Sequence, residues 1–393
     1  MKILFYSPHP SLYLGASTGY GSHMRGMIKG FQEEGHTVEI LVMGKTPSSF
    51  VTNHHSFDLK SLAKLFIPKI LWRTFKEIQQ IRFDKHAAKE LQFTIESFHP
   101  DIVYERSSWM SNGSVDVLTN FNIKHIIEIN APFEEEVKAF EKASSFIGVV
   151  GKKKLKSLLQ SADLVLPVTS SLQTYLIEHY ELSASKCAVV PNAIEKNEMQ
   201  INESRVAEIN KKYSLSEVTV LGFVGSIFPY HGVDRLIRGV SKLKHTDVAI
   251  LIVGDGHLIP ELKKLANDLG ISSRVHFAGS VPKEDIYNYF SAMDILTLPN
   301  TEWYCSPVKL FEYGALGKTI LAVNEIGVSD VMSNEEGVLF ENNEVAFQEA
   351  LLASLEDVEE LQKKALKFQL KILQKHTWRA NAHKVIQQIN SEQ

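Results

Sequence analysis

The chain has 393 residues, 44% of them hydrophobic and 22% charged; at about two to three times a common single-domain length, it calls for two packed cores. Its 22 Gly and 13 Pro, with no fixed-period repeat, exclude collagen-like, low-complexity and solenoid chains. Forty-two Lys plus Arg against 46 Asp plus Glu leave a formal charge of -4, which gives no general drive toward nucleic acid.

The first residues, 2–6, form a short apolar run closed by Ser7 and Pro8, without the basic start and longer apolar stretch of a secretory signal, and read as a first buried strand. Runs of strand length follow at 38–42, 102–104, 126–129, 164–168 and 188–190, and Met24, Met27, Ile28 and Phe31 repeat at helical spacing between the first two. Alternating strands and helices predict a parallel, doubly wound sheet. The pattern restarts at 218–225 and continues near 249–253, 275–277, 295–298 and 320–323, predicting a second Rossmann-like domain. The polar stretch 192–211 reads as the linker, with the boundary near Glu195. The domains expected are 1–195 and 196–374, with 375–393 a C-terminal helix returning toward the first domain. The fold class is α/β: two Rossmann-like, doubly wound domains facing a central cleft, where ligands sit at the carboxyl ends of the strands.

Several segments along this frame carry polar chemistry. Gly15, Gly19 and Gly21 precede the first amphipathic helix, which carries His23, and suit close approach of backbone to a sugar or phosphate. Tyr104-Glu105-Arg106 and Glu128-Ile129-Asn130 fall at strand ends, so Glu105, Glu128 and Asn130 are expected to reach the cleft. Glu134 joins Asn130 as a candidate contact, whereas Glu135 and Glu136 read as a solvated acidic helix start favoured by the dipole. Between 60 and 85, Lys64, Lys69, Arg73, Lys76 and Arg82 interleave with Leu65, Phe66, Ile70, Leu71, Trp72, Phe75 and Ile78. This pattern suits contact with an anionic membrane, to which Lys152, Lys153, Lys154 and Lys156 add charge, or equally a core position for Trp72 and Phe75. No run reaches the roughly 18 apolar residues of a membrane span. Two distant cysteines, Cys187 and Cys305, fit a reducing compartment. A cytoplasmic protein, soluble or on the inner face of the cell membrane, is expected.

The densest constellation is 302–318. Ser306 followed by Pro307 marks a helix start with Ser as N-cap and Pro at the first position, running to about Leu316 and stopping at Gly317. Its free N–H groups and Lys309 suit a diphosphate, and Glu312, one turn on, suits a ribose diol. No Asp-x-Asp pair and no His, Asp or Glu cluster of metal spacing occurs, so no metal is expected. Neither a Gly-x-Gly-x-x-Gly nor a Walker A loop is present.

Ser306-Pro307-x-Lys309-Leu310-Phe311-Glu312-Tyr313 with Gly317-Lys318 resembles the donor-binding segment of family 4 glycosyltransferases of GT-B fold. Phe223-Val224-Gly225, Val253-Gly254-Asp255-Gly256, Val275 to Gly279 and Val189-Val190-Pro191-Asn192 extend the likeness over almost the whole chain. The resemblance implies an enzyme: a metal-independent, retaining hexosyltransferase using a nucleotide diphosphate sugar, UDP- or GDP-linked, as co-substrate and no cofactor. The acceptor is a glycan or lipid-linked hydroxyl, in cell-surface polysaccharide or glycolipid synthesis. Residues 1–195 would be the acceptor side, with Gly19, His23, Glu105 and Glu128 near acceptor or sugar, and 196–374 the donor side. Gly225, Ser226, Tyr304, Ser306, Pro307, Val308, Leu310 and Glu312 would bind the donor, and Lys309, His231, Asn130 and Glu134 would act in catalysis. Two departures stand out. Tyr304 occupies the place of the family's usual first Glu, with Glu302 two residues away. Ser226 and His231 stand where an Arg and a Lys usually contact the diphosphate. A nucleotide-sugar epimerase of the same fold and a non-catalytic carbohydrate-binding or partner-regulating protein are the alternative readings.

Overall fold

The computed structural model describes residues 1–16, 18–44, 68–141, 145–195, 199–244 and 247–391. The chain divides into two compact units, Met1–Val190 with Asn381–Gln393, and Pro191–Ala380.

Unit 1 contains, in order, β1 (Lys2–Ser7), α1 (Gly19–Glu33), β2 (Thr37–Val42), α2 (Lys69–Phe98), β3 (Ile102–Arg106), α3 (Gly113–Leu118), β4 (Lys124–Ile129), α4 (Phe133–Glu141), α5 (Gly148–Ser161), β5 (Leu164–Pro167) and α6 (Ser170–Tyr180). The five strands are all parallel, in the order β2-β1-β3-β4-β5. Every residue of β3 and β5 is buried because helices cover both faces of such a sheet. Phe31 of α1 packs edge-on to Tyr104 at 5.3 Å, and Tyr104 stacks on Phe5 at 5.5 Å, which ties α1 to the two central strands. The run expected at 188–190 forms no strand. Ala188 and Val190 donate to Val165 and Pro167, but beside β5 only a single bridge, Val165 to Cys187, is made.

Unit 2 contains α7 (Glu203–Tyr213), β6 (Thr219–Val224), α8 (Val233–Ser241), β7 (Val248–Val253), α9 (Ile259–Asp268), β8 (Val275–Gly279), α10 (Ile286–Ser291), β9 (Ile295–Leu298), α11 (Val308–Ala315), β10 (Thr319–Val323), α12 (Ile326–Ser329), β11 (Val338–Phe340), α13 (Glu344–Glu356) and α14 (Val358–Lys375). Its six parallel strands run β11-β10-β9-β6-β7-β8. The three-residue β11 was too short to be read from the sequence.

The polar stretch 192–211 is not an open linker. Pro191 to Ile194 lies in unit 2: Ile194 N–H donates to His376 O at 3.1 Å and Trp378 N–H to Ile194 O at 3.3 Å. The unit boundary therefore falls after Val190 rather than at Glu195. Residues 203–211 open α7, capped by Asn202, whose side chain accepts from Arg205 N–H, and anchored by buried Ile209 and an Arg205–Asp285 pair at 2.9 Å. The helix expected over 375–393 is α15 (Trp378–Ser391), which follows α14 after Lys375. From Asn381 on, α15 belongs to unit 1, where His383 bonds Glu34 at 2.7 Å and Lys384 donates to Val189 O at 2.7 Å.

Candidate functional site

In unit 2 the chain builds outward in one direction from β6 and in the other from β9, so the switch point lies between these neighbours, where open parallel sheets hold ligands beyond the strand ends. β6 is followed by Gly225 with φ 136°, which non-glycine residues rarely adopt; a Cβ there would lie 2.9 Å from Lys309 Cε. Lys309 fills that space. Its Nζ lies 4.4 Å from the centroid of the Phe223 ring, shielded from solvent, and has no hydrogen-bond partner among the described residues. Burial holds its pKa down to about 7, against the pull of Glu312 and Cys305.

Three contacts fix α11 in this place. Val224 N–H donates to Tyr313 Oη at 3.1 Å, Asn192 N–H donates to Ser306 Oγ at 3.0 Å, and Asn192 Nδ2 donates to Ser306 O at 2.5 Å. Ser306 is therefore not the expected N-cap. Its hydroxyl is turned to Asn192, Pro307 occupies the cap position with φ -70°, and the helix begins at Val308, leaving its first N–H groups without intrahelical partners. Half-buried Glu312 lies one turn along from Lys309.

His231 closes a short 3₁₀ turn, Pro229–His231, and its Nδ1 lies 2.6 Å from Ser226 O, so Nδ1 carries the proton and Nε2 a lone pair. Burial and then Lys309 push its pKa down to about 3, so in the ligand-free protein it is neutral, not the imidazolium a phosphate contact would use. The turn at Gly254, φ 134°, abuts Gly225: a Cβ there would meet Gly225 O at 2.0 Å, and Ile227 N–H donates to Asp255 O at 2.9 Å. This is a strand-end turn rather than a phosphate cradle. Two residues expected to line the site pack inward instead. Leu310 is fully buried in the core on the sheet side of its helix, and Tyr304, 6% exposed, meets Trp303 edge-on at 5.4 Å. Ser226 is exposed, and Pro307 and Val308 are half-buried.

In unit 1 the switch point lies between β1 and β3. Glu128 is buried in a network: His23 Nε2 lies 2.7 Å from its carboxylate, Tyr104 Oη donates at 2.6 Å, and Arg106 Nη1 and Asn130 Nδ2 also donate. Burial alone would raise its pKa, but His23 and Arg106 with these hydrogen bonds hold it well below the usual carboxylate range. Glu105 is buried against His125 at 3.0 Å. Glu105, Glu128 and His23 therefore face inward: both sheet faces are covered, and only groups at the strand ends escape. Gly19 is the exposed first residue of α1.

The groups that do escape line a cavity of about 400 Å³, among them Arg106, Asn130, Glu136 and His9. Burial and Arg106 push the His9 pKa down to about 4, and burial raises that of Glu136, with Arg106 opposing. Glu134, the expected contact, pairs loosely with Lys152 at 3.9 Å; Glu136, read as solvated, is the one that faces the cavity. His9 was missed, although the strand-end rule applied to β3 and β4 finds it two residues past β1. Tyr313 and Asn192 stood in the quoted motifs without a role.

Residues 60–67 of the basic and aromatic stretch, including Lys64, Leu65 and Phe66, lie outside the described residues. On α2, Leu71, Phe75 and Ile78 are exposed, so Phe75 is not core, whereas Arg73 is buried and pairs with Glu77 at 3.2 Å. Thr74 Oγ1 accepts from Phe146 N–H at 3.2 Å, which sets exposed Phe146, Val149 and Val150 beside this face. Lys154 turns inward onto Asp84 at 3.1 Å and Lys156 pairs with Glu181 at 2.8 Å, leaving Lys153 exposed without a described partner. Among the described residues no helix is long and apolar enough to cross a membrane, and no cluster of three or more His, Cys, Asp or Glu could hold a metal ion.

Two family models match the chain: Glycosyltransferase Family 4 over residues 17–198 and Glycosyl transferases group 1 over residues 218–357. With the two parallel-sheet units, they define a chain of two glycosyltransferase domains on a GT-B fold. Among solved structures, HepE of Anabaena in complex with UDP aligns over 100% of both chains with a TM-score of 0.72 and 16% identity, a likeness of fold. An uncharacterized glycosyltransferase of Methanocaldococcus jannaschii is 22% identical over 81% of this chain and 79% of its own. The phosphatidylinositol N-acetylglucosaminyltransferase GPI3 subunit of Saccharomyces cerevisiae is 26% identical over 49% of this chain. A GDP-mannose-dependent alpha-(1-6)-phosphatidylinositol monomannoside mannosyltransferase of Mycobacterium tuberculosis is 23% identical over 50%. The chain spans about half the length of these last two relatives, 43% and 53%.

Proposed function

We propose that the protein is a retaining, metal-independent glycosyltransferase that moves a sugar from a UDP- or GDP-sugar to a hydroxyl of a glycan or lipid-linked acceptor. The observation that carries this reading is Lys309: a shielded ammonium with no described partner, set against Gly225 at the switch point of unit 2 and beside the open N–H groups of α11. Such a group is costly to bury alone and is matched by a bound diphosphate. The bond between the anomeric carbon and the diphosphate oxygen breaks with its electron pair leaving on the diphosphate. The acceptor oxygen bonds the anomeric carbon on the same face, and its proton passes to the departing phosphate oxygen. Lys309, the α11 amides and the backbone at Gly225 and Ser226 stabilise the developing charge. Glu312 accepts from the ribose diol. His231, whose ring packs 5.5 Å from that of Phe223, takes up a proton only when an anion offsets its burial.

A lipid-linked acceptor is supported by the phosphatidylinositol named for two relatives. It is also supported by the exposed Leu71, Phe75, Phe146 and Val149, which adjoin the lysines of α2 and α5 and suit an anionic bilayer surface.

The test is incubation of the purified protein with a panel of UDP- and GDP-sugars, each with a mixture of glycan and phosphatidylinositol acceptors, in the presence of a chelator, reading release of UDP or GDP that depends on the acceptor. One donor should raise the melting temperature and be turned over, and Lys309→Ala should abolish both effects. No stabilisation by any of them, or activity lost on chelation and restored by a divalent cation, overturns the reading.

A further inference from the structure

We propose that the cavity of unit 1 binds a hydroxylated organic anion, with its phosphoryl or carboxylate group seated on Arg106 and its hydroxyls on Asn130 and Glu136. It rests on the transferase reading only in giving that ligand the role of acceptor.

The case begins with Arg106. Its side chain is more than nine-tenths buried and lines the cavity; Nη1 donates to Glu128, while Nε and Nη2 have no hydrogen-bond partner among the described residues. A guanidinium edge with two parallel donors left open is the arrangement that takes a carboxylate or phosphoryl group bidentately. Glu128 cannot supply the missing acceptor, because its carboxylate already serves His23, Tyr104 and Asn130 as well.

His9 adds a further donor. Its Nδ1 accepts from Ser11 N–H at 3.0 Å, so the proton of the neutral ring sits on Nε2. Exposed Lys76 also lines the cavity. The other charged pair on the wall is closed on itself: Arg73 bonds Glu77 at 3.2 Å, and Trp109 Nε1 donates to the same carboxylate oxygen at 3.0 Å.

Two acceptors face these donors. Asn130 donates its Nδ2 to Glu128, and its Oδ1 and the Glu136 carboxylate have no hydrogen-bond partner among the described residues, while both side chains line the cavity. A neutral sugar would leave the Arg106 edge unmatched, and a bare inorganic anion would leave Glu136 unmatched and repelling. A polyol carrying one anionic group satisfies both, and about 400 Å³ is room for a ligand of hexose size.

Isothermal titration calorimetry on the full chain without nucleotide sugar tests this, using glucose 6-phosphate, glucuronate and glucose as probes. At least one anionic sugar should bind about tenfold or more tightly than glucose. Glu136→Gln, which removes a like charge, should tighten that binding about threefold or more, and Lys76→Ala should weaken it about threefold. Arg106→Gln should abolish the preference. Because it strands buried Glu128, this variant is scored only if its circular dichroism spectrum is native, and the other two variants decide otherwise. Glucose bound as tightly as both anions, or anion affinity unmoved by both Glu136→Gln and Lys76→Ala, overturns the inference. Competition by vesicles of phosphatidylglycerol in phosphatidylcholine would assign the anion to a lipid headgroup, and its absence to a soluble ester; either accords with the site. Failure here beside intact turnover of a nucleotide sugar removes only this inference, whereas binding here without turnover leaves it standing and removes the transferase reading.

Discussion

Binding of the sugar nucleotide should draw a proton from solvent onto Lys309. With its pKa held to about 7 in the free protein, the amine is about half neutral at pH 7 and about nine-tenths neutral at pH 8. A diphosphate against Nζ favours the charged form and carries the pKa back toward the ordinary lysine value. Uptake should then be about 0.5 proton at pH 7 and about 0.9 at pH 8, and affinity should fall nearly tenfold from pH 8 to pH 9. A UDP-sugar is the right probe because its diphosphate is doubly esterified and does not itself titrate in this range. His231, held near 3, contributes only at lower pH. The assay is calorimetry at pH 8 in two buffers of different ionisation enthalpy, where the difference in apparent binding enthalpy counts protons. Uptake below about 0.1 proton at pH 8 in the wild-type protein, with binding intact, would refute the reasoning that Lys309 meets the diphosphate.

Glu312→Gln should raise the KM for the donor with less effect on kcat, and an unchanged KM would remove Glu312 from ribose binding. Tyr313→Phe leaves the buried Val224 N–H without its 3.1 Å acceptor and should cost about 1–3 kcal/mol in urea unfolding; an unshifted midpoint would show that the hydroxyl does not anchor α11. Glu128→Ala leaves Arg106 buried without a counter-ion and should cost about 3–5 kcal/mol at neutral pH. Because the Glu128 pKa is depressed on folding, the stability it contributes is fully present above its ordinary value of 4.5 and is lost as pH falls through the folded-state value. The gap between variant and wild type should narrow in acid, and a gap constant down to the acid transition would count against the network. Lys309→Met should raise the melting temperature at pH 7 while abolishing donor binding, and a destabilised variant would contradict an unpaired buried ammonium.

The architecture was legible because buried parallel strands are short continuous apolar runs, and all but two of the observed and expected runs coincide. The two failures share a cause. The run at 188–190 is apolar enough to be a strand but makes only one bridge, and β11 is a strand with three residues to show for it. In both cases pairing is decided by a neighbour rather than by the segment. The helix at Val308 was placed correctly to within a residue, while the role of Ser306 was not, since the partner that diverts its hydroxyl, Asn192, is 114 residues away. Strand-end logic led to Arg106 and Asn130 but overreached at Glu105 and Glu128. A residue inside the ladder faces the covered side of the sheet, and whether a neighbouring strand offers it a His or an Arg, as β4 and β3 do here, is a tertiary fact. The choice between Glu134 and Glu136 depends on the rotation of α4, which three consecutive acids conceal.

The two units bury ionised groups beside their sheets in opposite ways. In unit 1 the Glu128 carboxylate is surrounded by donors, so the charge is compensated within the fold and Arg106 is held ready whether or not a ligand is present. In unit 2 Lys309 has a ring face, a glycine and a helix start around it but no anion bonded to its Nζ, and the displacement of its pKa from 10.5 to about 7 corresponds to roughly 5 kcal/mol against the charged form. The unfolded chain, holding the proton more tightly, binds more protons between pH 7 and 10.5, so this penalty fades and stability rises as pH climbs through that window. The fold tolerates the deficit because Tyr313 and Asn192 lock α11 to β6 and to the chain entering the unit, independently of the charge. On the proposed reading, a ligand that brings the missing anion relieves the deficit at one atom, so the site should prefer a diphosphate to an uncharged group of the same shape.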